Sequence, residues 1–107
     1  MADFVRVAAR SDIPEEGVLG VEANGLRICL ADCEGAVYAF EDKCSHRDFP
    51  LSTGELDADD CTISCSWHGA VFDLQSGRPQ GLPATRPILT FECRLEGDDV
   101  LVALPDS

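Results

Sequence analysis

Basic residues are scarce in this chain. Eight Lys and Arg stand against twenty Asp and Glu, for a formal net charge of −12 over 107 residues. Nucleic acids and anionic membranes bind through basic patches, so neither is expected as a partner. The first ten residues carry Asp3, Arg6 and Arg10 and hold no apolar run long enough for a signal peptide or a membrane span. A cytoplasmic location is the expectation. Repeats, heptads, low-complexity tracts and linkers are also missing, so one domain over residues 1–107 is expected. That length supports one modest core and leaves no room for a flavin or substrate domain beside it, which argues against an enzyme with its own active site.

Histidine is rarer still, with only two, and both sit beside a cysteine. Residues 44–68 open with Cys44-Ser45-His46 and close with Cys65-Ser66-Trp67-His68. Thiolate and imidazole are the side chains that hold iron or zinc best in water, and each short spacing lets one turn of backbone aim both at one point. Cys44, His46, Cys65 and His68 are thus the candidate metal ligands. A structural zinc finger pairs Cys with Cys and His with His. Here the types are mixed within each pair, which suits two irons, each segment giving its Cys to one and its His to the other. Such a division is found in centres where two His replace two Cys on one iron of a [2Fe–2S] cluster.

The pattern C-x-H, a loop, then C-x-x-H-G continued as Ala70-Val71-Phe72-Asp73 resembles the Rieske family. High-potential members carry one extra Cys in each box, joined in a disulfide. Here Phe49 follows Asp48 and Trp67 stands where the second extra Cys would be. The wording from Cys65 to Asp73, followed by Ser76-Gly77 and Leu82-Pro83-Ala84, is similar to the small Rieske ferredoxins of bacterial aromatic-ring oxygenases. One departure is the eighteen residues between His46 and Cys65, slightly more than that family shows, so the shape of this loop is not carried over. The resemblance implies a single [2Fe–2S] cluster, a flavoprotein reductase as electron donor, the terminal component of an oxygenase as acceptor, and a monomer. It also implies stacked antiparallel sheets with a cluster-binding subdomain at about residues 43–83.

The rest of the chain agrees with an all-β fold. Leu26, Ile28 and Leu30 alternate with Arg27, Cys29 and Ala31, the period of a strand with one buried face. Asn24-Gly25 suits a tight hairpin turn and should pair residues 18–22 with that strand. Glu34-Gly35 turns the chain into residues 36–41. Later, Leu89, Phe91, Cys93 and Leu95 share a face, Gly97-Asp98 turns, and Val100, Val102 and Leu104 return. Nothing reads as a long helix. Pro14-Glu15-Glu16 could open one helical turn, which Gly17 stops. Many short strands between Gly-containing turns mean a sandwich or barrel. The four cysteines outside the boxes, Cys29, Cys33, Cys61 and Cys93, read as buried thiols in a reducing compartment.

Two thiolates and two neutral imidazoles give the oxidised cluster core about zero charge, where four thiolates would leave it near −2, so adding an electron is easier. High-potential relatives place Ser and Tyr hydroxyls near the positions of Ala70 and Phe72. Both are missing, which puts the expected potential toward the low end of roughly −150 to +300 mV. Trp67 reads either as a docking aromatic at the cluster edge or as a core plug, and its place on a loop tip favours docking. Gly69 gives backbone room beside the cluster or is an ordinary turn. Leu82 and Pro83 resemble the proline loop over the cluster, with a plain loop as the alternative. Asp57, Asp59 and Asp60 face a basic partner or are simply solvated. The leading function is a ferredoxin carrying one electron from a flavin-dependent NAD(P)H reductase to a Rieske non-haem iron oxygenase. The alternatives are an accessory Rieske ferredoxin of another system, such as iron–sulfur cluster assembly, and a zinc-binding structural module.

Overall fold

A computed structural model describes residues 3–23, 25–43, 51–57, 59–64, 71–80 and 87–104. Ten strands make up almost all of the regular structure: β1 (Asp3–Ala9), β2 (Val18–Ala23), β3 (Leu26–Cys33), β4 (Ala36–Glu41), β5 (Glu55–Asp57), β6 (Thr62–Ser64), β7 (Val71–Asp73), β8 (Thr90–Phe91), β9 (Cys93–Glu96) and β10 (Asp99–Leu104). The only helical pieces among the described residues are two short 3-10 turns, Arg10–Asp12 and Leu51–Thr53. No helix among them is long and apolar enough to cross a membrane.

The strands form three antiparallel sheets, ordered β1-β10-β9, β2-β3-β4-β8 and β5-β6-β7. The hairpins expected from the turn residues are present. Val18 pairs with Ala31 and Ala23 with Leu26, while Cys33 pairs with Ala36 across Glu34 and Gly35. Both of those turn residues have positive φ, 54° and 84°, the left-handed pair that matches the twist of a two-residue hairpin. In β10, Val100, Val102 and Leu104 are buried on alternate positions as expected.

One expectation about the strands is corrected. The strand β3 is buried on both faces, not one. Ile28 and Leu30 pack with Ala39, Val100, Val102 and Leu104, while Cys29, Ala31 and Cys33 pack with Phe40, Leu51, Ile63, Phe72, Leu74 and Ile88. The central sheet therefore lies between the other two, and each of its faces meets a separate core. Cys and Ala are small enough to be buried without adding to the apolar alternation, so the sequence pattern marks only one buried face. The N-terminal residues, given no element from sequence, form β1 along the edge of β10. Residues 14–17 make a single turn closed by the Gly17 N–H donating to the Pro14 carbonyl at 3.1 Å.

Near that turn, the buried Asp32 carboxylate ties three loops together. It accepts the amide N–H groups of Glu16 and Gly35, each at 3.2 Å, and lies 3.3 Å from Arg10 Nη2. A buried carboxylate is tolerated only when donors and a cation replace its water.

The thiol reading of all four outer cysteines is also corrected. Cys33 and Cys61 are joined in a disulfide, with Cα atoms 5.8 Å apart; Cys29, buried, and Cys93, half-buried, are thiols. A compartment argument sets a prior on disulfides but contains no distances, and only the packing of two turns brings these sulfurs together.

Candidate functional site

The four candidate ligands Cys44, His46, Cys65 and His68, together with Trp67, Gly69, Leu82, Pro83 and Ala70, lie outside the described residues. They fall in three segments, 44–50, 65–70 and 81–86, whose points of departure and return are described. The small sheet β5-β6-β7 organises those points. Glu55 pairs with Ser64, and Ser64 with Val71, so these three residues share one end of the sheet; Asp57, Thr62 and Asp73 share the other.

Segment 65–70 is closed at its base by the Ser64–Val71 pair. Segment 81–86 starts after Gln80, whose N–H donates to the Val71 carbonyl at 2.7 Å beside the Phe72–Pro79 bridge. Its return is fixed by Ile88, whose N–H donates to the Gly77 carbonyl at 2.9 Å. Segment 44–50 returns at Leu51, fully buried, and the 3-10 turn there is closed by the Gly54 N–H donating to the Leu51 carbonyl at 2.9 Å. Gly54 then abuts the Ser64 carbonyl so closely that no Cβ could stand there. The return of the first ligand segment, both ends of the second and the departure of the third thus gather at one end of a three-stranded sheet. Three-residue strands can hold such loops because their inner side chains, Leu56, Ile63 and Phe72, pack on the core beneath; Ile63 and Phe72 are fully buried there.

The departure of segment 44–50 involves a residue that sequence reasoning passed over. Asp42 follows β4 and is buried, with its carboxylate accepting both the amide N–H and the hydroxyl of Ser52. One aspartate and one serine ten positions apart carry no signal in a single sequence.

The outer face of the small sheet is acidic. Glu55, Asp57 and Asp73, with Glu16, Asp59 and Asp60, line an open groove of about 890 Å³ that has no Lys or Arg among its described lining residues. Part of this acidity is structural. Asp57 accepts the amide N–H groups of Asp59 and Asp60, at 3.0 and 3.3 Å, and Asp73 accepts the amide and hydroxyl of Ser76, at 2.8 and 2.9 Å. These carboxylates shape turns, and their remaining charge faces solvent.

Residues 3–92 match the Rieske [2Fe-2S] domain model. The 3-phenylpropionate/cinnamic acid dioxygenase ferredoxin subunits of Shigella boydii and Escherichia coli are each 37% identical to this chain over 97 residues, covering 91% of it and 90% of theirs. Among solved structures, the ferredoxin of carbazole 1,9a-dioxygenase from Nocardioides aromaticivorans superposes with a TM-score of 0.90 at 27% identity, covering 95% of this chain and 98% of its own. A complex of reduced oxygenase and oxidised ferredoxin in carbazole 1,9a-dioxygenase matches with a TM-score of 0.85 at 33% identity, over 94% of this chain and 92% of that one.

Proposed function

The chain belongs to the Rieske [2Fe-2S] domain family, and we propose that it is a one-electron carrier between a flavin-dependent NAD(P)H reductase and a terminal Rieske non-haem iron oxygenase. One observation carries this reading. The 37% identity runs over nine-tenths of both chains, so the relatives that this protein resembles throughout are themselves ferredoxin subunits of a dioxygenase.

A domain of this family carries a [2Fe–2S] cluster, and the donors present suit one. Cys44 and Cys65 would bind one iron as thiolates, and His46 and His68 the other as neutral imidazoles. The gathering of segment ends beside Ser64 and Val71 supports this set, because the segment carrying Cys44 and His46 returns to the same end of the small sheet at which the segment carrying Cys65 and His68 leaves and returns. The cluster supplies reversible one-electron storage. We assign residues 43–83 to the cluster-binding part of a single domain, with the protein working as a monomer.

The chain's own residues then have two tasks. Trp67, Leu82 and Pro83 would form an apolar contact around the His ligands, small as in transient redox encounters. The acidic groove and the rest of the surplus negative charge would draw in a basic partner face. Stopped-flow electron transfer to a purified oxygenase of this class, at several ionic strengths and with Trp67→Ala alongside, tests both. Transfer should slow as salt screens the charges and should be slower in the variant. Equal rates for parent and variant, with no salt effect, would place docking elsewhere. A colourless protein holding zinc would overturn the whole reading.

A further inference from the structure

The two ends of the first ligand segment are tied to each other by one buried carboxylate. Asp42 is 6% exposed. Its Oδ1 accepts the Ser52 amide N–H at 2.6 Å, and its Oδ2 accepts the Ser52 hydroxyl at 2.7 Å. Only residues 43–51 lie between the two, and they include Cys44 and His46. A third element closes over the pair. A Cβ on Gly20 of β2 would stand 2.9 Å from Ser52 Oγ and 3.0 Å from Asp42 Oδ2, so the bare glycine is what lets the neighbouring strand approach.

A carboxylate two residues from a candidate ligand is an expensive way to end a strand, because its lost hydration must be replaced. Both Ser52 donors go to it, and charge-assisted hydrogen bonds of this kind are roughly twice as strong as neutral ones. We propose that Asp42 and Ser52 are positioning residues: their double hydrogen bond closes the base of the segment carrying Cys44 and His46 and so presets that pair against Cys65 and His68. The proposal rests on the ligand assignment above. Its physical basis is preorganisation. A loop with its base already closed has less chain entropy to lose when its side chains are ordered around a metal, and groups behind the ligands fix their orientation. Leu51, fully buried, keeps the returning chain on the core; the Ser52 bonds add a polar link to the residue that follows β4.

The test uses the cluster-loaded protein and four variants: Asp42→Ala, Ser52→Ala, the two combined, and Asp42→Asn. Asn keeps the shape and both hydrogen bonds, with the serine hydroxyl turned to accept from the new amide. Iron release to a chelator and the electron paramagnetic resonance spectrum of the reduced protein are the readouts. Each Ala variant should release iron on the order of tenfold faster and shift or broaden the spectrum, as loss of a partner behind a ligand does. The combined variant should match Asp42→Ala, because that substitution already removes both bonds while Ser52→Ala removes only the hydroxyl's and leaves the amide's, and Asp42→Asn should stay near the parent. Parent-like release in both Ala variants, or effects that multiply when combined, would overturn the proposal. If Asp42→Ala fails to fold, Ser52→Ala, which removes one exchangeable hydroxyl, decides alone. A parent that binds no [2Fe–2S] cluster would show instead that the ligand assignment has failed, and the positioning role with it.

Discussion

Cys33, the last residue of β3, is disulfide-bonded to Cys61, which immediately precedes β6, and the bond fastens the central sheet to the end of the small sheet opposite Ser64 and Val71. The small sheet is therefore held covalently at one end and, at the other, takes the return of the first ligand segment and both ends of the second. Its three-residue strands have little pairing of their own to resist tilting, so this tether and the packing of Ile63 and Phe72 set its orientation.

Removing the disulfide should lower stability by about 3.5 kcal/mol, the effect of a cross-link closing a loop of this length. The separation of Cys33 and Cys61 is 28 residues. Cys33→Ala, Cys61→Ala and the double variant should all lose a similar amount in urea unfolding, because each loses the same bond. A double variant markedly less stable than either single one would mean that the side chains matter through packing and not through the cross-link.

Replacing His46 or His68 with Cys should leave a [2Fe–2S] centre with a lower reduction potential, since a charged thiolate takes the place of a neutral imidazole. Redox titration followed by visible absorption measures this. Unchanged potentials in both variants would remove these histidines from the ligand set.

Phe72→Tyr probes the missing hydroxyl. Phe72 is fully buried on β7, opposite Ile63 and one residue past Val71. A tyrosine hydroxyl that reaches a cluster sulfur should raise the potential at little cost in stability. An unchanged potential with a loss of about 1–3 kcal/mol, the penalty for a buried polar group without a partner, would show that the ring points into the core away from the cluster.

Burial, aided by the Asp42 carboxylate, holds the Cys29 thiol well above its ordinary value of 9.0. In the unfolded chain the same thiol ionises near that value. Below about pH 8 both states keep the proton and the group adds no pH dependence. As pH rises further, only the unfolded state loses its proton, so stability falls. Between pH 8.5 and 10 the parent should lose stability more steeply than Cys29→Ala, the difference approaching about 1.4 kcal/mol per pH unit at the high end. Parallel curves for the two proteins would contradict the shifted thiol.

Residue types and short spacings were enough to read the family and the class of fold. Two mixed Cys/His pairs and no other histidine leave few ways to bind a metal. The turns at Gly25, Glu34-Gly35 and Gly97 demand left-handed backbone, which marks hairpins locally. Hydrophobic alternation in β10 likewise needs only neighbouring residues. What depended on tertiary structure involves residues far apart in the chain. The second buried face of β3 needed the small sheet to cover Cys29 and Ala31. The Cys33–Cys61 bond needed two turns to meet, and the Asp42–Ser52 link needed the chain to leave β4 and return beside Gly20. Each of these is a contact between side chains with no periodic or motif signature, so its energy exists only once the sheets have stacked.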